Sequence, residues 1–599
     1  MILNKSVSQV RTRKKDVVQK QKRTKKQKMN FLKNILDKGT VQKNGSALKE
    51  EKLSVEITGM TCDHCAVSIE RLLEQKKGIV SKKVSYASGK GDITFNPAAI
   101  SKDEIISTIN QTPNYRAKEI NGIHNNNLNT AQFDLIIIGG GSAAFAAAIK
   151  ANELGLSTLM VNSGLDFGGT CVNVGCVPSK TLIRAAETAY HANHSNFAGI
   201  KPKGFDIDFA QVIKQKKQLV KKLQQSKYMD VVSDFENLKL LEGWAEFIND
   251  KSILVNGKDE YTAIKFIIAT GSTTNIPDID GLKEVGYLTN VTLFDLEEQP
   301  ESITIMGAGY IGLEIAMAYN RLGTKVRIIE FTDRVLRTQT PDISEEIEMH
   351  MRREGIEILP NFRAVKFEKS GNDTIIHCKC PDGSFTKLIE PGKVVVASGT
   401  KANTQKLGLT NIGLQLTKSG HIKVNALMET NLKNIYAVGD VVNTPAFVYT
   451  AAYEGKIAVE NAFTGSGNKA DYSSLPWVVF TDPQIAGAGL DEVQAATQNI
   501  PFEVSKLTLD NVPRSLAAND TRGFIKLIRN PETDKLIGAR IVAPEGGELV
   551  MELSLAIKYG ITVTDLAQSF HPYLTLGEGI KLAALTFGKD VAKLSCCAS

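Results

Sequence analysis

Gly168-Gly169-Thr170-Cys171-Val172-Asn173-Val174-Gly175-Cys176-Val177-Pro178-Ser179-Lys180 sets two cysteines four residues apart, with glycines before and between them. Pro178 suits the first turn of a helix, where a missing N–H costs little. A helix is therefore expected to begin at Cys176, with the amphipathic run Thr181 to Ala192 behind it. A helix N-terminus stabilises a thiolate, the reactive form of cysteine. The glycines let the backbone approach a flat ligand closely. A structural disulfide and a zinc half-site compete with this reading. The first is rare in a chain without a secretory signal, and the second lacks another Cys/His pair at metal spacing. A redox-active dithiol is the expectation.

Two glycine-rich turns flank this stretch. Phe133-Asp-Leu-Ile-Ile-Ile138 has a buried-strand pattern and runs into Gly139-Gly140-Gly141-Ser142-Ala143-Ala144, a dinucleotide fingerprint with alanine at its third small position. Such glycines allow a tight turn, so that a pyrophosphate sits on the next helix N-terminus. The second strand ends at Val161-Asn162, where an acidic ribose ligand is usual; asparagine still hydrogen-bonds a hydroxyl, without charge. A second strand and fingerprint follow at Ser302-Ile-Thr-Ile-Met-Gly307-Ala-Gly309-Tyr310-Ile311-Gly312-Leu313-Glu314. Its next strand ends at Glu330, placed to bind the 2′-hydroxyl of NADH and repel a 2′-phosphate, while Arg334 and Arg337 suit that phosphate instead.

The cysteine stretch resembles the active-site disulfide of the flavin-dependent pyridine nucleotide–disulfide oxidoreductases, the superfamily of glutathione reductase and dihydrolipoamide dehydrogenase. The resemblance runs from about Phe133 to the C-terminus and includes Ile267-Ile-Ala-Thr270-Gly271-Ser272 and Asn434-Ile-Tyr-Ala-Val-Gly439-Asp440. It implies FAD held by Gly139, Gly141, Ala144, Gly169, Thr170, Lys180, Thr270, Gly271 and Asp440. It implies a nicotinamide nucleotide at Gly307, Gly309, Gly312, Glu330 and Arg334, with Tyr310 gating the nicotinamide and Glu314 paired to Lys180. A buried Lys–Glu pair is reasonable, since each charge alone is costly. By the same analogy Cys176 lies against the flavin, and Cys171 is the outer, exchanging thiol. Family precedent points to NADPH, and Glu330 to NADH.

The ends of the chain narrow the choice. Of 599 residues 42% are hydrophobic and 23% charged, an ordinary globular composition for several domains. The net charge of +7 is local: residues 1–50 hold 15 basic and 3 acidic residues, leaving the remainder at −5. A nucleic-acid-binding enzyme is expected to carry its basic patch on the folded part, so that class is disfavoured. The basic arm reads as a solvated, disordered segment, with a nucleic-acid or membrane contact and a start at Met29 as alternatives. A polar N-terminus without an apolar core and the absence of an 18-residue apolar run lead to a cytoplasmic expectation.

The eight cysteines fall in four close pairs. Residues 51–118 read as a small α+β unit: a strand at Leu53–Ile57, Gly59-Met60-Thr61-Cys62-Asp63-His64-Cys65, a helix Ala66–Lys76, strands near Val80–Tyr86 and Asp92–Phe95, and a helix Ser101–Asn110 capped by Ser101. This resembles the heavy-metal-associated domain, a ferredoxin-like βαββαβ fold, with Cys62 and Cys65 as ligands of a soft ion; a thioredoxin-like Cys-x-x-Cys is the rival. Residues 119–132 look like a linker. Cys378 and Cys380 read as incidental strand cysteines. Cys596 and Cys597, adjacent with Cα atoms about 3.8 Å apart, are too close for a relaxed disulfide; two thiols on a mobile terminus suit capture of a soft ion.

The last third resembles the superfamily's dimerisation domain, in which a histidine serves the partner subunit's dithiol. Alignment on Glu578 puts Tyr573 where that histidine belongs, with His571 two residues upstream. A phenol with a pKa of about 10 is a poor base for thiol–disulfide exchange, which disfavours an organic disulfide substrate.

The expectation is an α/β chain: a tail (1–50), a metal-binding domain (51–118), a linker (119–132), two Rossmann-like domains (FAD, 133–290 and 401–472; NAD(P)H, 291–400) and an α+β dimerisation domain (473–599). As the resemblance implies, it is a cytoplasmic homodimer of the mercury(II)-reducing type, its active site shared between subunits. Hg(II), delivered as a thiol complex, passes from Cys62/Cys65 to Cys596/Cys597 and on to Cys171/Cys176, with Tyr573 lining the path. A dihydrolipoamide dehydrogenase-like reductase and a metal-sequestering protein with a vestigial flavin body are the alternatives.

Overall fold

A computed structural model describes residues 51–60, 63–86, 89–112, 115–119 and 132–590. They form two compact units, one on either side of the intervening segment.

The N-terminal unit is β1 (Glu51–Thr58), α1 (Asp63–Glu74), β2 (Ile79–Ser85), β3 (Lys90–Phe95), α2 (Lys102–Asn110) and β4 (Arg116–Glu119), an antiparallel sheet in the order β2-β3-β1-β4. Alternation puts Leu53, Val55 and Ile57 of β1 inward, against Ile69 and Leu73 of α1. The Ser101 hydroxyl accepts the Glu104 N–H at 3.2 Å and caps α2. Helix α1 starts at Asp63, earlier than the hydrophobic periodicity indicates. It ends at Glu74, where the chain turns toward Gly78 at φ +104°.

The second unit opens with a parallel sheet. Strands run in the order Leu238–Glu242, β6 (Thr158–Asn162), β5 (Phe133–Ile138), the end of Asp259–Ile268, and Ile435–Ala437. Two antiparallel strands, Ser252–Val255 and Ala245–Asn249, extend it. Continuous burial from Leu135 to Ile138 is the mark of a strand covered on both faces. Helix α3 (Ser142–Glu153) packs on this sheet and against the helix Val448–Thr464. A Cβ on Gly455 would stand 2.3 Å from the Ala143 carbonyl oxygen, so only glycine permits this approach. Beyond β6 come α4 (Gly169–Asn173) and α5 (Cys176–Asn193).

A second parallel sheet holds β7 (Ser302–Met306) and β8 (Lys325–Ile329) between Lys393–Val396 and Glu357–Leu359, with α6 (Tyr310–Arg321) and α7 (Pro341–Arg353) as its helices. The last domain is a five-stranded antiparallel sheet that begins with β9 (Trp477–Val479) and carries α8 (Gly546–Tyr559) and α9 (Glu578–Leu585). One apolar core runs unbroken from Leu182 and Ile183 of α5, through Leu313 of α6, to Val479 and Phe524 of the last domain. Arg321 crosses the same seam, bound to Glu354 at 2.6 Å and Asp482 at 2.8 Å and lying 4.0 Å over the Tyr190 ring. Among the described residues no helix is long and apolar enough to cross a membrane.

Candidate active site

Gly168 adopts φ +104°, where a Cβ would meet Val172 at 2.5 Å, and this reversal starts α4. After Val174 the chain turns again and α5 begins at Cys176. Cys171 and Cys176 are thiols within hydrogen-bonding reach of each other, and Cys171 is the more covered. The bond from Cys171 pulls Cys176 down to about 7, helped by the Lys180 charge and the N–H at the helix start, and opposed by burial. The same bond, with burial, pushes Cys171 up. Cys176 is therefore the first of the two to ionise, and Cys171 the one that keeps its proton longer.

Lys180 lies one turn along α5 from Cys176, on the same face. Its Nζ meets Glu314 Oε2 of α6 at 2.7 Å, and Glu314 Oε1 accepts the Phe480 N–H at 3.0 Å. The Lys180 ammonium also lies 4.6 Å from the Phe480 ring centre. Residues 476–480 thus touch most of the site. The Pro476 carbonyl accepts the Tyr449 hydroxyl at 2.5 Å, and the Trp477 ring stacks on Tyr310 at 5.9 Å with 14° between planes. Burial, together with the nearby Cys176 and Tyr310, raises the Tyr449 hydroxyl to about 12. Reading from sequence missed Tyr449, Trp477 and Phe480. The one signal was a rare tryptophan, one of two in the chain, beside a proline.

The first fingerprint loop is built for a dinucleotide. A Cβ on Gly139 would fall 2.2 Å from the Ala269 carbonyl oxygen, and one on Gly169 would fall 2.6 Å from Gly141 Cα. Gly141 caps α3 without a side chain, leaving N–H groups of that helix for a ligand, and Ala144 is fully buried beneath. Asn162 packs on Gly140 and donates to the Leu165 carbonyl at 2.8 Å, which leaves its Oδ1 as an acceptor. Thr270 and Asn403 exchange hydrogen bonds at 2.8 and 2.9 Å, fixing the Thr270-Gly271 turn. Ser272 donates to Asp440 Oδ2 at 3.1 Å, and Gly439 is held by Glu454 at 2.7 Å. Burial pushes the Asp440 carboxyl up, and its second oxygen is an acceptor suited to a hydroxyl chain. Thr170 is exposed beside these loops. Glycine cradle, free helix N-terminus and buried acceptor together fit FAD.

The second loop repeats the device. A Cβ on Gly307 would meet the Ala397 oxygen at 2.5 Å and one on Gly312 the Gly307 oxygen at 2.1 Å, whereas Gly309 faces open space at the uncapped start of α6. Glu330 is buried: Oε2 accepts the Ala308 N–H at 2.7 Å, and Oε1 accepts the Thr332 N–H and hydroxyl at 2.7 Å each. Arg334 binds Asp333 at 3.1 Å and the Gln339 carbonyl at 3.2 Å, and Arg337 binds Asp333 at 2.9 Å. These residues fit a nicotinamide nucleotide.

Tyr573 is 54% exposed, in the turn before α9. Leu574 there has φ +60° and donates to buried Glu578 at 3.1 Å. His571 is tied by Nε2 to Glu552 at 2.8 Å. Cys378 is buried in the apolar core of the second dinucleotide domain, with its thiol pushed up to about 11 by burial, and Cys380 lies just past the strand end. Cys65 sits in the first turn of α1 and is partly exposed. Cys62, Cys596 and Cys597 lie outside the described residues.

Comparison with known families matches residues 133–455 to the pyridine nucleotide-disulphide oxidoreductases, 475–584 to the dimerisation domain of that group, and 54–114 to the heavy-metal-associated domain. The mercuric reductase of Lysinibacillus sphaericus is 39% identical over 552 residues, covering 91% of this chain and 100% of its own. That of Staphylococcus aureus is 40% identical over 557 residues, covering 92% and 100%. Among solved structures, the HOCl-induced flavoprotein disulfide reductase RclA from Escherichia coli is similar with a TM-score of 0.66 at 27% identity, covering 75% of this chain and 98% of its own.

Proposed function

The chain belongs to the pyridine nucleotide-disulphide oxidoreductase family, and we propose that within it the chain is an NAD(P)H-dependent flavoprotein reducing Hg(II) to volatile Hg(0). What carries this reading is the match to mercuric reductases over nine-tenths of the chain, metal-binding domain included.

FAD, when bound, supplies a two-electron relay from the reduced nicotinamide to the dithiol. In this reading the FAD-binding parts are residues 133–290 and 401–472, the nucleotide part 291–400 and the dimer-forming part 473–599. Gly139, Gly141, Ala144, Gly169 and Thr170 line the pyrophosphate side, Thr270, Gly271 and Asp440 the hydroxyl-bearing side. Gly307, Gly309 and Gly312 receive the nucleotide. The Cys171 hydrogen bond, helped by Lys180 that Glu314 steadies, favours ionisation of the Cys176 sulfur. Cys171 loses its proton as Hg(II) takes its place, so the ion is held by two sulfurs, a coordination soft metals favour. Two electrons then break both Hg–S bonds: Hg(0) leaves and the two thiolates remain.

Hg(II) reaches the cytoplasmic homodimer as a thiol complex. Cys62 and Cys65 capture it, and Cys596 and Cys597 of one subunit hand it to Cys171 and Cys176 of the other, past Tyr573. Exchange between thiolates never releases the ion. Family precedent is NADPH; what supports NADH instead is the Glu330 carboxylate at the strand end and the engagement of both Arg334 and Arg337 by Asp333.

The test is Hg(II)-dependent oxidation of NADH and NADPH by the purified holoenzyme with excess small thiol and trapped mercury vapour. Vapour that disappears with Cys171→Ala or Cys597→Ala is expected. Reduction of lipoamide or glutathione disulfide without vapour would sink the assignment.

A further inference from the structure

Tyr310 is fixed from two sides. The Gln339 side-chain amide donates to its hydroxyl at 2.7 Å, with the Thr338 side chain also hydrogen-bonded to that hydroxyl, and the Trp477 ring lies nearly parallel to its own. Trp477 is a rigid platform. Behind it the Arg540 guanidinium stands 5.6 Å from the ring, itself buried and bound to the carbonyls of Ala488 at 3.1 Å and Ala539 at 2.8 Å. Below it a Cβ on Gly487 would fall 2.6 Å from the indole, so the strand leaves room for this side chain through a glycine. Gln339 is 9% exposed, and its Oε1 has no hydrogen-bond partner among the described residues. An amide end buried without a partner is unfavourable, so Gln339 is not placed there for stability alone.

We propose that Trp477 and Gln339 are positioning residues for the nicotinamide step, holding Tyr310 in one orientation beside the nucleotide. This rests on the reading of Tyr310 as the nicotinamide-facing residue. The ring sits between two domains. Tyr310 is the first residue of α6, Gln339 closes the loop that starts at Glu330, and Trp477 opens β9 of the C-terminal domain. Stacking fixes the plane of the phenol and the hydrogen bond fixes its rotation, so neither contact suffices alone.

The test is a double-mutant cycle on the FAD-loaded enzyme with Tyr310→Leu, Trp477→Ala, Trp477→Phe and Gln339→Leu. Four quantities are read: kcat/KM for NADH, KM for Hg(II), the NAD⁺ dissociation constant by calorimetry, and Trp477 emission in a Trp244→Phe background. Trp477→Ala and Gln339→Leu each lower nucleotide kcat/KM about three- to tenfold, the range of an aromatic contact, and leave KM for Hg(II) unchanged. Neither adds to the loss in Tyr310→Leu, and Trp477→Phe, which keeps a ring, recovers most of it. NAD⁺ changes Trp477 emission in the wild type, and that change shrinks in Tyr310→Leu. Full additivity, or unchanged nucleotide kinetics in both variants, overturns the proposal. Gln339→Leu leaves no large cavity and carries the test if Trp477→Ala fails to fold. If Tyr310→Leu itself leaves NAD⁺ affinity and kcat/KM untouched, the reading beneath falls and the proposal with it.

Discussion

Lys180 and Glu314 meet at 2.7 Å across the boundary between two dinucleotide domains, and Glu314 passes the contact on to the N–H of Phe480 in a third. Helix geometry puts Lys180 one turn from Cys176, and groups distant in sequence fix its ammonium there. Charge at the dithiol is local in origin and tertiary in its fixing.

In the reduced protein the Cys171/Cys176 pair loses its first proton near pH 7, because Cys176 is pulled down to about 7. Lys180→Met removes one lowering charge and raises that midpoint by about one unit. The pH dependence of thiolate absorbance or of alkylation by iodoacetamide reads it directly. An unchanged midpoint would deny Lys180 any electrostatic role.

Glu330→Gln keeps the shape and removes the charge, and its single carbonyl oxygen can accept from the Ala308 N–H or from Thr332 but not from both. The ratio of kcat/KM for NADH over NADPH is expected to fall about tenfold. Steady-state kinetics with each nucleotide at fixed Hg(II) measures it.

Asp342 at the start of α7 joins Lys526 at 3.0 Å and Lys506 at 3.0 Å of the last domain. Burial works against its charge, but the Thr340 hydroxyl and Lys526 prevail and hold its carboxyl down at about 2. The folded value lies below the unfolded one of about 3.9, so the stabilisation is complete above pH 4 and lost as pH falls toward 2. Asp342→Asn is expected to cost about 2 kcal/mol at pH 7, a difference that roughly halves by about pH 3 and closes below about pH 2. Denaturant titrations at these pH values check this.

Gly455→Ala drives a methyl into the Ala143 carbonyl oxygen at 2.3 Å. Backbone cannot yield as a side chain does, so the loss is expected at the upper end of overpacking, about 3 kcal/mol. Helix α3 would shift, and α3 carries the first fingerprint. FAD retention after gel filtration should fall together with the melting temperature.

Much of this architecture was legible in the chain because its rules are local. Gly139, Gly307 and Gly312 each answer to a carbonyl a few ångströms away, and a glycine pattern after a strand announces that. Cys176 at the head of α5 follows from Pro178 two residues on. Glu330 was found by its position at a strand end, but not the way its oxygens are shared with Ala308 and Thr332. Trp477, Tyr449 and Phe480 carried no such signature: they reach the site through strand pairing and domain contact, over sequence separations that no periodicity spans. The start of α1 was set three residues late, since Asp63, His64 and Cys65 already belong to the helix.

The five residues 476–480 belong to the domain named for association, yet they stack on Tyr310 and hold the ion pair beside the thiols. Modularity in this chain is accordingly uneven. The N-terminal unit closes its own core and is free to be lost, duplicated or exchanged by recombination. The body has no such cutting point: a fragment ending before Leu475 would keep both nucleotide folds and lose the tooling that joins them. One short strand thus couples the fold of the last domain to the setting of the dithiol.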